Sequence, residues 1–354
     1  MKSVRDDIKK IWRECFDDTR EYVEMYFDRV YRESDALTLE RDGVTVSSLL
    51  LQSYTLRFQG ADIPVGYIAG AATRRSARGQ GYMSRLMLTA LHKSRERGDV
   101  LCTLIPAHDW LFFYYDRFGF RTVFYNDRQR FTSLHQFLGE GSYSVETDAY
   151  SERVYDAFHR FEENRGCGII HSRRDFLNAL DDMRYDPDGT FVVMNDEHGD
   201  VASMAWALTD NGLVIVKELL AKDDNARQAA LRALRSHFPD MPFMVLAPPE
   251  EGLKRHLYSK AMGRIVNVGK CLEITAAAHP EISSYFRVTD GILADNSHIY
   301  RIKGGRCDIR DDYRGPLDLD VSVEIMTEII FSSPKIGDII GFPSERPHMS
   351  LMLD

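Results

Sequence analysis

Residues with the types and spacing for chemistry concentrate in one run, Thr73-Arg74-Arg75-Ser76-Ala77-Arg78-Gly79-Gln80-Gly81-Tyr82-Met83-Ser84. Arginines, glycines and a helix start make a socket for phosphate. The turn lets backbone N–H groups converge, the helix dipole favours an anion, and glycine allows close approach. A Walker loop needs Gly-Lys-Ser/Thr at its end, and none is present. A dinucleotide fingerprint needs a third glycine where Ser84 stands. An ordinary basic strand-to-helix turn is the plainer alternative. His108 beside Asp109 offers a base, although a single histidine at a strand end is more often structural. No His/Cys/Asp spacing suits a metal, and none is expected.

A strand and a helix must position the run. Residues 65–72 are small and apolar, as a buried strand requires when something lies close against it. Met83, Leu86, Met87, Ala90 and Leu91 recur at i, i+3, i+4, i+7 and i+8, an amphipathic helix. Upstream, Ile8, Ile11, Trp12, Cys15 and Phe16 form one helical stripe, and Val23, Tyr26, Phe27, Val30 and Tyr31 another. Strands over 36–41 and 44–57 meet at Asp42-Gly43, a strong hairpin turn. Downstream, 101–106 reads as a buried strand leading into the aromatic run Trp110-Leu111-Phe112-Phe113-Tyr114-Tyr115. The first part of the chain therefore reads helix, helix, three strands, loop-helix, strand, helix, strand.

A looser connection centred on Gly139-Glu140-Gly141-Ser142 follows. A second block then opens with a helix carrying Val154, Ala157, Phe158 and Phe161, and another that Ser172 and Asp175 introduce as a capping box. Strands over 191–194, 201–208, 213–220 and 243–247, with a helix over 225–237, repeat the succession of the first block, so an internal duplication is expected. The loop equivalent to the socket reads Ala221-Lys222-Asp223-Asp224-Asn225-Ala226. It lacks glycine, and its carboxylates would repel a diphosphate. From Val268 the pattern changes, with strands expected over 285–289, 298–303 and 318–324 and short helices over 327–331 and 336–340. The apolar tail Met349-Ser350-Leu351-Met352-Leu353-Asp354 is expected to be docked.

The chain has 354 residues, 44% hydrophobic, and a net charge of −9. That length exceeds one ordinary domain. The acidic balance argues against nucleic-acid or anionic-membrane partners and suits a cationic substrate. Five cysteines, widely spaced and without C-x-x-C, fit reduced thiols in a cytoplasmic protein. No signal-peptide core and no bilayer-spanning stretch is visible.

Arg78-x-x-Gly81-x-Met83 resembles the pyrophosphate loop of the GCN5-related N-acetyltransferases, with Met83 departing from the small residue usual at its last position. Tyr115-Asp116-Arg117-Phe118-Gly119-Phe120 resembles the second signature of that superfamily, Tyr-x-x-x-Gly-Phe. The layout of an active block, a degenerate second block and a small αβ tail resembles the enhanced intracellular survival (Eis) family. That family tolerates a larger apolar residue at the position of Met83. Its Ala-Ser-Glu is matched less evenly by Ala107-His108-Asp109.

The resemblance implies tandem acetyltransferase folds, with mixed, largely antiparallel sheets flanked by helices, and a sterol-carrier-protein-like α/β domain at the C-terminus. The implied boundaries are 1–138 (catalytic), 139–267 (degenerate copy) and 268–354. It implies acetyl-coenzyme A as co-substrate. Ala71, Ala72 and Thr73 would pair with the pantetheine amides. Arg78, Gly79, Gln80, Gly81, Tyr82, Met83 and Ser84 would hold the pyrophosphate. It further implies direct attack by a primary amine, of an aminoglycoside-like polycation or a lysine side chain. Tyr115 would protonate the leaving thiolate, and the α-carboxylate of the last residue, Asp354, would accept the amine's proton. Family members assemble as oligomers, often hexamers. The competing expectation is a non-catalytic acyl-coenzyme A or lipid carrier using the C-terminal domain. Transfer to a hydroxyl is a third, with His108 as its base.

Overall fold

The computed structural model describes residues 3–185, 188–249, 257–331 and 345–353. The chain opens with α1 (Val4–Cys15) and α2 (Arg20–Met25), which runs on into a wider helical turn, Tyr26–Val30. Then come β1 (Ala36–Arg41), β2 (Val44–Phe58), β3 (Ala61–Thr73), α3 (Tyr82–Arg97), β4 (Leu101–Leu104), α4 (Asp109–Asp116) and β5 (Arg121–Phe131). The middle holds β6 (Ser144–Val145), α5 (Glu152–Asn164), β7 (Gly168–Ile170), α6 (Arg173–Tyr185), β8 (Thr190–Asn195), β9 (Val201–Asp210), β10 (Leu213–Ala221), α7 (Asp224–His237) and β11 (Phe243–Ala247). It ends with β12 (Tyr258–Ile265), α8 (Val268–Ala278), β13 (Ser283–Thr289), β14 (Ile299–Lys303), β15 (Arg306–Ile309), β16 (Leu319–Ser322) and α9 (Val323–Phe331).

Contacts divide the chain into two compact units, one of Met1–Phe124 with Lys260–Pro347, the other of Tyr125–Ser259 with His348–Leu353. This division falls away from the boundaries expected at 138/139 and 267/268. Residues 127–131 of β5 pair with β11, which draws that segment into the second unit. Residues 262–265 of β12 pair antiparallel with β4, which draws the chain back into the first. Such long-range pairings leave no local mark in a sequence.

In the first unit the strands run β1-β2-β3-β4-β12. The apolar face of α3 (Leu86, Met87, Ala90, Leu91) packs on Leu49, Leu51, Ile68 and Leu104 with Tyr115, Phe118 and Phe120. Burying a side chain of this size stabilises by ~1.5–3 kcal/mol, so this core fixes α3 and α4 against the sheet. A four-stranded sheet, β15-β14-β13-β16, belongs to the same unit. Arg95 of α3 reaches the segments that flank it: its Nη1 donates to Asn296 Oδ1 (2.6 Å), ahead of β14, and to the Val266 carbonyl (2.8 Å), after β12. The strand expected over 318–324 stops at Ser322, where α9 begins. Neither β12, β15 nor α8 was anticipated, and the helix expected over 336–340 lies outside the described residues.

In the second unit the strands run β5-β11-β10-β9-β8-β6. The capping box at α6 is present: Asp175 accepts from the Ser172 N–H (3.1 Å) and the Asp175 N–H donates to Ser172 Oγ (3.3 Å). At α7 the N-cap is Asp223, whose carboxylate accepts from the Ala226 N–H at 2.8 Å. A carboxylate therefore occupies the helix start that in the first unit is free. Glu218 of β10 is buried, and Arg165 Nη1 and Nη2 donate to it at 2.8 and 2.9 Å. His348 Nε2 (3.1 Å) and Ser350 Oγ donate to the same carboxylate from the tail.

Candidate active site

The site is built where β3 leaves β4. The two run parallel only from Val65↔Leu101 to Ile68↔Leu104, whereas β3 continues to Thr73. Beyond Ile68 the edge of β3 that faced β4 has no β4 partner, while its other edge stays paired with β2 as far as Ser47↔Thr73. A bulge bends the strand here, since β2 pairs Ser48 with Ala72 and then Leu50 with Ala69. Gly70 sits in the bulge at φ 56°, and the Trp12 ring of α1 fills the space that any Cβ would need. The small residues of this strand thus have a physical cause.

The end of β3 is clamped. The Thr73 carbonyl accepts from Arg78 Nε (3.2 Å) and from the Cys15 thiol (3.3 Å), and Thr73 Oγ1 lies 2.8 Å from Ser47 Oγ. Arg74 is committed to structure, donating to the Thr45 carbonyl (2.9 Å) and pairing with Glu14 (3.1 Å). Arg75 and Arg78 stay exposed, and Arg41 joins them by donating to Gln80 Oε1 at 3.1 Å. Several exposed cations therefore border the loop.

Gly79 (φ 75°) and Gly81 (φ 79°) hold left-handed conformations that disfavour other residues, and no atom lies within 4 Å of where their Cβ would be. Glycine is required here by conformation, and it leaves the surface open. Gly81 is the N-cap of α3 and offers no side chain to the helix start. The first helical bond is Arg85 N–H to the Gly81 carbonyl, so the amides of Tyr82, Met83 and Ser84 precede the ladder. Three N–H groups, a positive helix end and absent side chains fit a diphosphate. Ala71 and Thr73 are half-buried and Ala72 is buried; residues 78–81 are exposed and 82–84 half-buried. The loop residues singled out in sequence thus gather at one strand-to-helix junction.

Tyr115 lies in α4 and is 7% exposed within the core cluster. Burial, with Tyr114 adding to it, pushes its phenol up to about 12. The glycine of Tyr-x-x-x-Gly-Phe has a clear role: Gly119, at φ 81°, ends the helix where a Cβ would meet Arg264 Nε at 2.7 Å. Arg264 is itself buried and donates to Asp290 at 2.6 Å. Tyr114 was not singled out in sequence, yet its hydroxyl lies 3.5 Å from Ser84 Oγ, linking α4 to the first turn of α3. Cys15 and Arg41 were also missed, because their positions depend on α1 and the first hairpin returning to the loop. His108 is exposed at the N-cap of α4 and makes no side-chain cap bond. Asp354 lies outside the described residues. Among the described residues, no group of three or more His, Cys, Asp or Glu could hold a metal ion, and no helix is long and apolar enough to cross a membrane.

Residues 2–123 match the family model of the acetyltransferase (GNAT) domain. A GCN5-related N-acetyltransferase from Anabaena variabilis has a TM-score of 0.77 at 14% identity, covering 97% of this chain and 96% of that one. One from Kribbella flavida has a TM-score of 0.72 at 16% identity, covering 97% and 96%. Eis1 from Mycobacterium abscessus has a TM-score of 0.71 at 13% identity, covering 97% and 92%. At these identities the likeness is one of fold. No curated protein matches the chain by sequence. The matched domain is that of an acyltransferase. It spans the socket and the Tyr115 helix.

Proposed function

We propose that the chain transfers an acetyl group from acetyl-coenzyme A to a primary amine, of an aminoglycoside-like polycation or a lysine side chain. The observation that carries this reading is the open start of α3 behind Gly81, beside the β3 edge that β4 leaves free. Ala71–Thr73 would pair with the pantetheine amides along that edge, and the Gly79–Ser84 amides, with Arg78, would hold the diphosphate.

When bound, acetyl-coenzyme A supplies an acyl carbon with a thiolate leaving group. The amine nitrogen forms a bond to that carbon, and the carbon–sulfur bond breaks. Tyr115 gives its proton to the departing sulfur. Its phenol at about 12 keeps that proton at neutral pH. A thiol is ordinarily more acidic, near 8.5, but the burial that raises the phenol raises a neighbouring thiol too, which narrows the gap. The amine's proton passes to the α-carboxylate of Asp354, whose ordinary pKa of about 3.5 would have to rise by burial to serve.

The same reading divides the chain into a catalytic block over 1–138, a degenerate copy over 139–267 in which Asp223 would take the place of a phosphate, and a sterol-carrier-like block over 268–354. Assembly into hexamers belongs to the same reading. The testing experiment is thiol release from acetyl-coenzyme A with a panel of polyamines, aminoglycosides and lysine peptides. Light scattering measures the assembly. Binding of acetyl-coenzyme A without thiol release from any amine would favour a carrier.

A further inference from the structure

Coenzyme A carries two separate anions, the diphosphate and, one ribose away, a 3′-phosphate monoester that is largely doubly charged at neutral pH. The loop amides and Arg78 answer the first. Arg41 and Arg75 remain, both exposed, and among the described residues neither guanidinium has a carboxylate within ion-pair distance. The chain as a whole carries a net charge of −9, so unneutralised arginines gathered at one spot run against its balance.

Arg41 is placed at the loop by the hairpin that carries it. It ends β1, whose register against β2 passes from Leu39↔Ser47 to Glu40↔Thr45 and skips Val46. Such a bulge re-aims the strand end. The Val46 carbonyl accepts from the Arg74 N–H (2.9 Å), and the Thr45 carbonyl from Arg74 Nε (2.9 Å). The hairpin is thereby fastened to the first residue after β3. Gln80 closes the other side: its Oε1 accepts from Arg41 Nη1 at 3.1 Å, and its Nε2 donates to the Ser76 carbonyl at 3.4 Å. One side-chain amide, rising from the loop between Gly79 and Gly81, thus joins Arg41 to the turn Arg75–Ala77.

We propose that Arg41, held by Gln80 and seconded by Arg75, takes the 3′-phosphate of coenzyme A, so that the chain selects it over donors lacking that group. The proposal rests on the reading of the loop as the diphosphate socket. A guanidinium with no ion pair to surrender has little to lose when a dianion arrives, and its planar donors match phosphate oxygens. The Gln80 bond fixes Arg41 through Nη1 and leaves Nε and Nη2 for the ligand. In sequence Arg41 reads only as a charge beside a hairpin turn, because its partner Gln80 lies beyond two strands.

The test is calorimetric binding of coenzyme A and of 3′-dephospho-coenzyme A to the full-length chain, as wild type, Arg41→Ala and Arg75→Ala. Wild type is expected to bind coenzyme A about tenfold tighter than the dephospho form, because charge-assisted bonds to phosphate are strong ones. Arg41→Ala should weaken coenzyme A by about the same factor and leave the dephospho form within about twofold, with a smaller effect of the same kind in Arg75→Ala. Equal affinity of wild type for both ligands overturns the proposal and leaves the diphosphate socket standing; that comparison needs no variant to fold. Loss of both ligands by one factor in Arg41→Ala also overturns it, since Arg41 would then act on the loop through Gln80 alone. No binding of either ligand to wild type overturns the reading of the socket together with the proposal.

Discussion

Ser84 Oγ and Tyr114 Oη lie 3.5 Å apart, which brings the first turn of α3 and the helix of Tyr115 to one spot. Tyr114 is half-buried beside the socket, whereas its neighbour Tyr115 points into the core. Adjacent tyrosines therefore have separable roles. Tyr114→Phe removes one neutral hydrogen bond, ~0.5–1.5 kcal/mol, and is expected to raise KM for acetyl-coenzyme A about 2- to 10-fold with kcat unchanged. Steady-state kinetics over donor concentration measure this split.

Gly81→Ala should weaken donor binding without loss of fold. No neighbour obstructs a Cβ at this position, so the penalty is conformational, ~1–2 kcal/mol for an L-residue at φ 79°. The helix start either strains or shifts its amides. Calorimetric titration with coenzyme A is expected to show about tenfold weaker binding, with a modestly lower melting temperature.

Gly70→Ala should act on stability instead. The Trp12 ring occupies the Cβ position, and φ is 56°. Overpacking and a left-handed backbone together cost ~2–5 kcal/mol. Denaturant unfolding should show that loss. A larger residue at 12 cannot relieve it, whereas Trp12→Leu in the same chain should recover part.

Much of this arrangement is legible in the sequence because its causes are local. Asp42-Gly43 turns a hairpin, Ser172 and Asp175 cap a helix, and the glycines at 79 and 81 stand where a left-handed backbone favours glycine. The signature Tyr-x-x-x-Gly-Phe is legible for a similar reason, since Gly119 ends its helix in the left-handed region. What escapes is set by distant partners. β12 carries Gly263, whose missing Cβ accommodates Val123, and finds β4 through no local signal. The pair Arg264–Asp290 and the clamp of Glu218 on His348 likewise join residues far apart in the chain.

Acid should destabilise the protein partly through Glu218. Burial pushes its carboxyl up, but Arg165 and His348 outweigh burial and hold it well below the usual range. A depressed folded-state pKa adds stability that is complete above the unfolded value, near 4.3, and is lost as pH falls through the folded value. Unfolding free energies measured from pH 7 downward should therefore fall below about pH 4, and Glu218→Gln should flatten that slope.

Acyl transfer to an amine with Tyr115 as proton donor is tested most directly by thiol release from acetyl-coenzyme A in wild type and Tyr115→Phe. Proton donation of this kind contributes about 10²- to 10⁴-fold, so Tyr115→Phe should lose kcat by that factor while binding the donor as wild type does. Because burial holds the phenol at about 12, wild-type kcat should show no loss from its ionisation up to about pH 11. Equal thiol release by wild type and Tyr115→Phe, across an amine panel that turns over, would contradict the account.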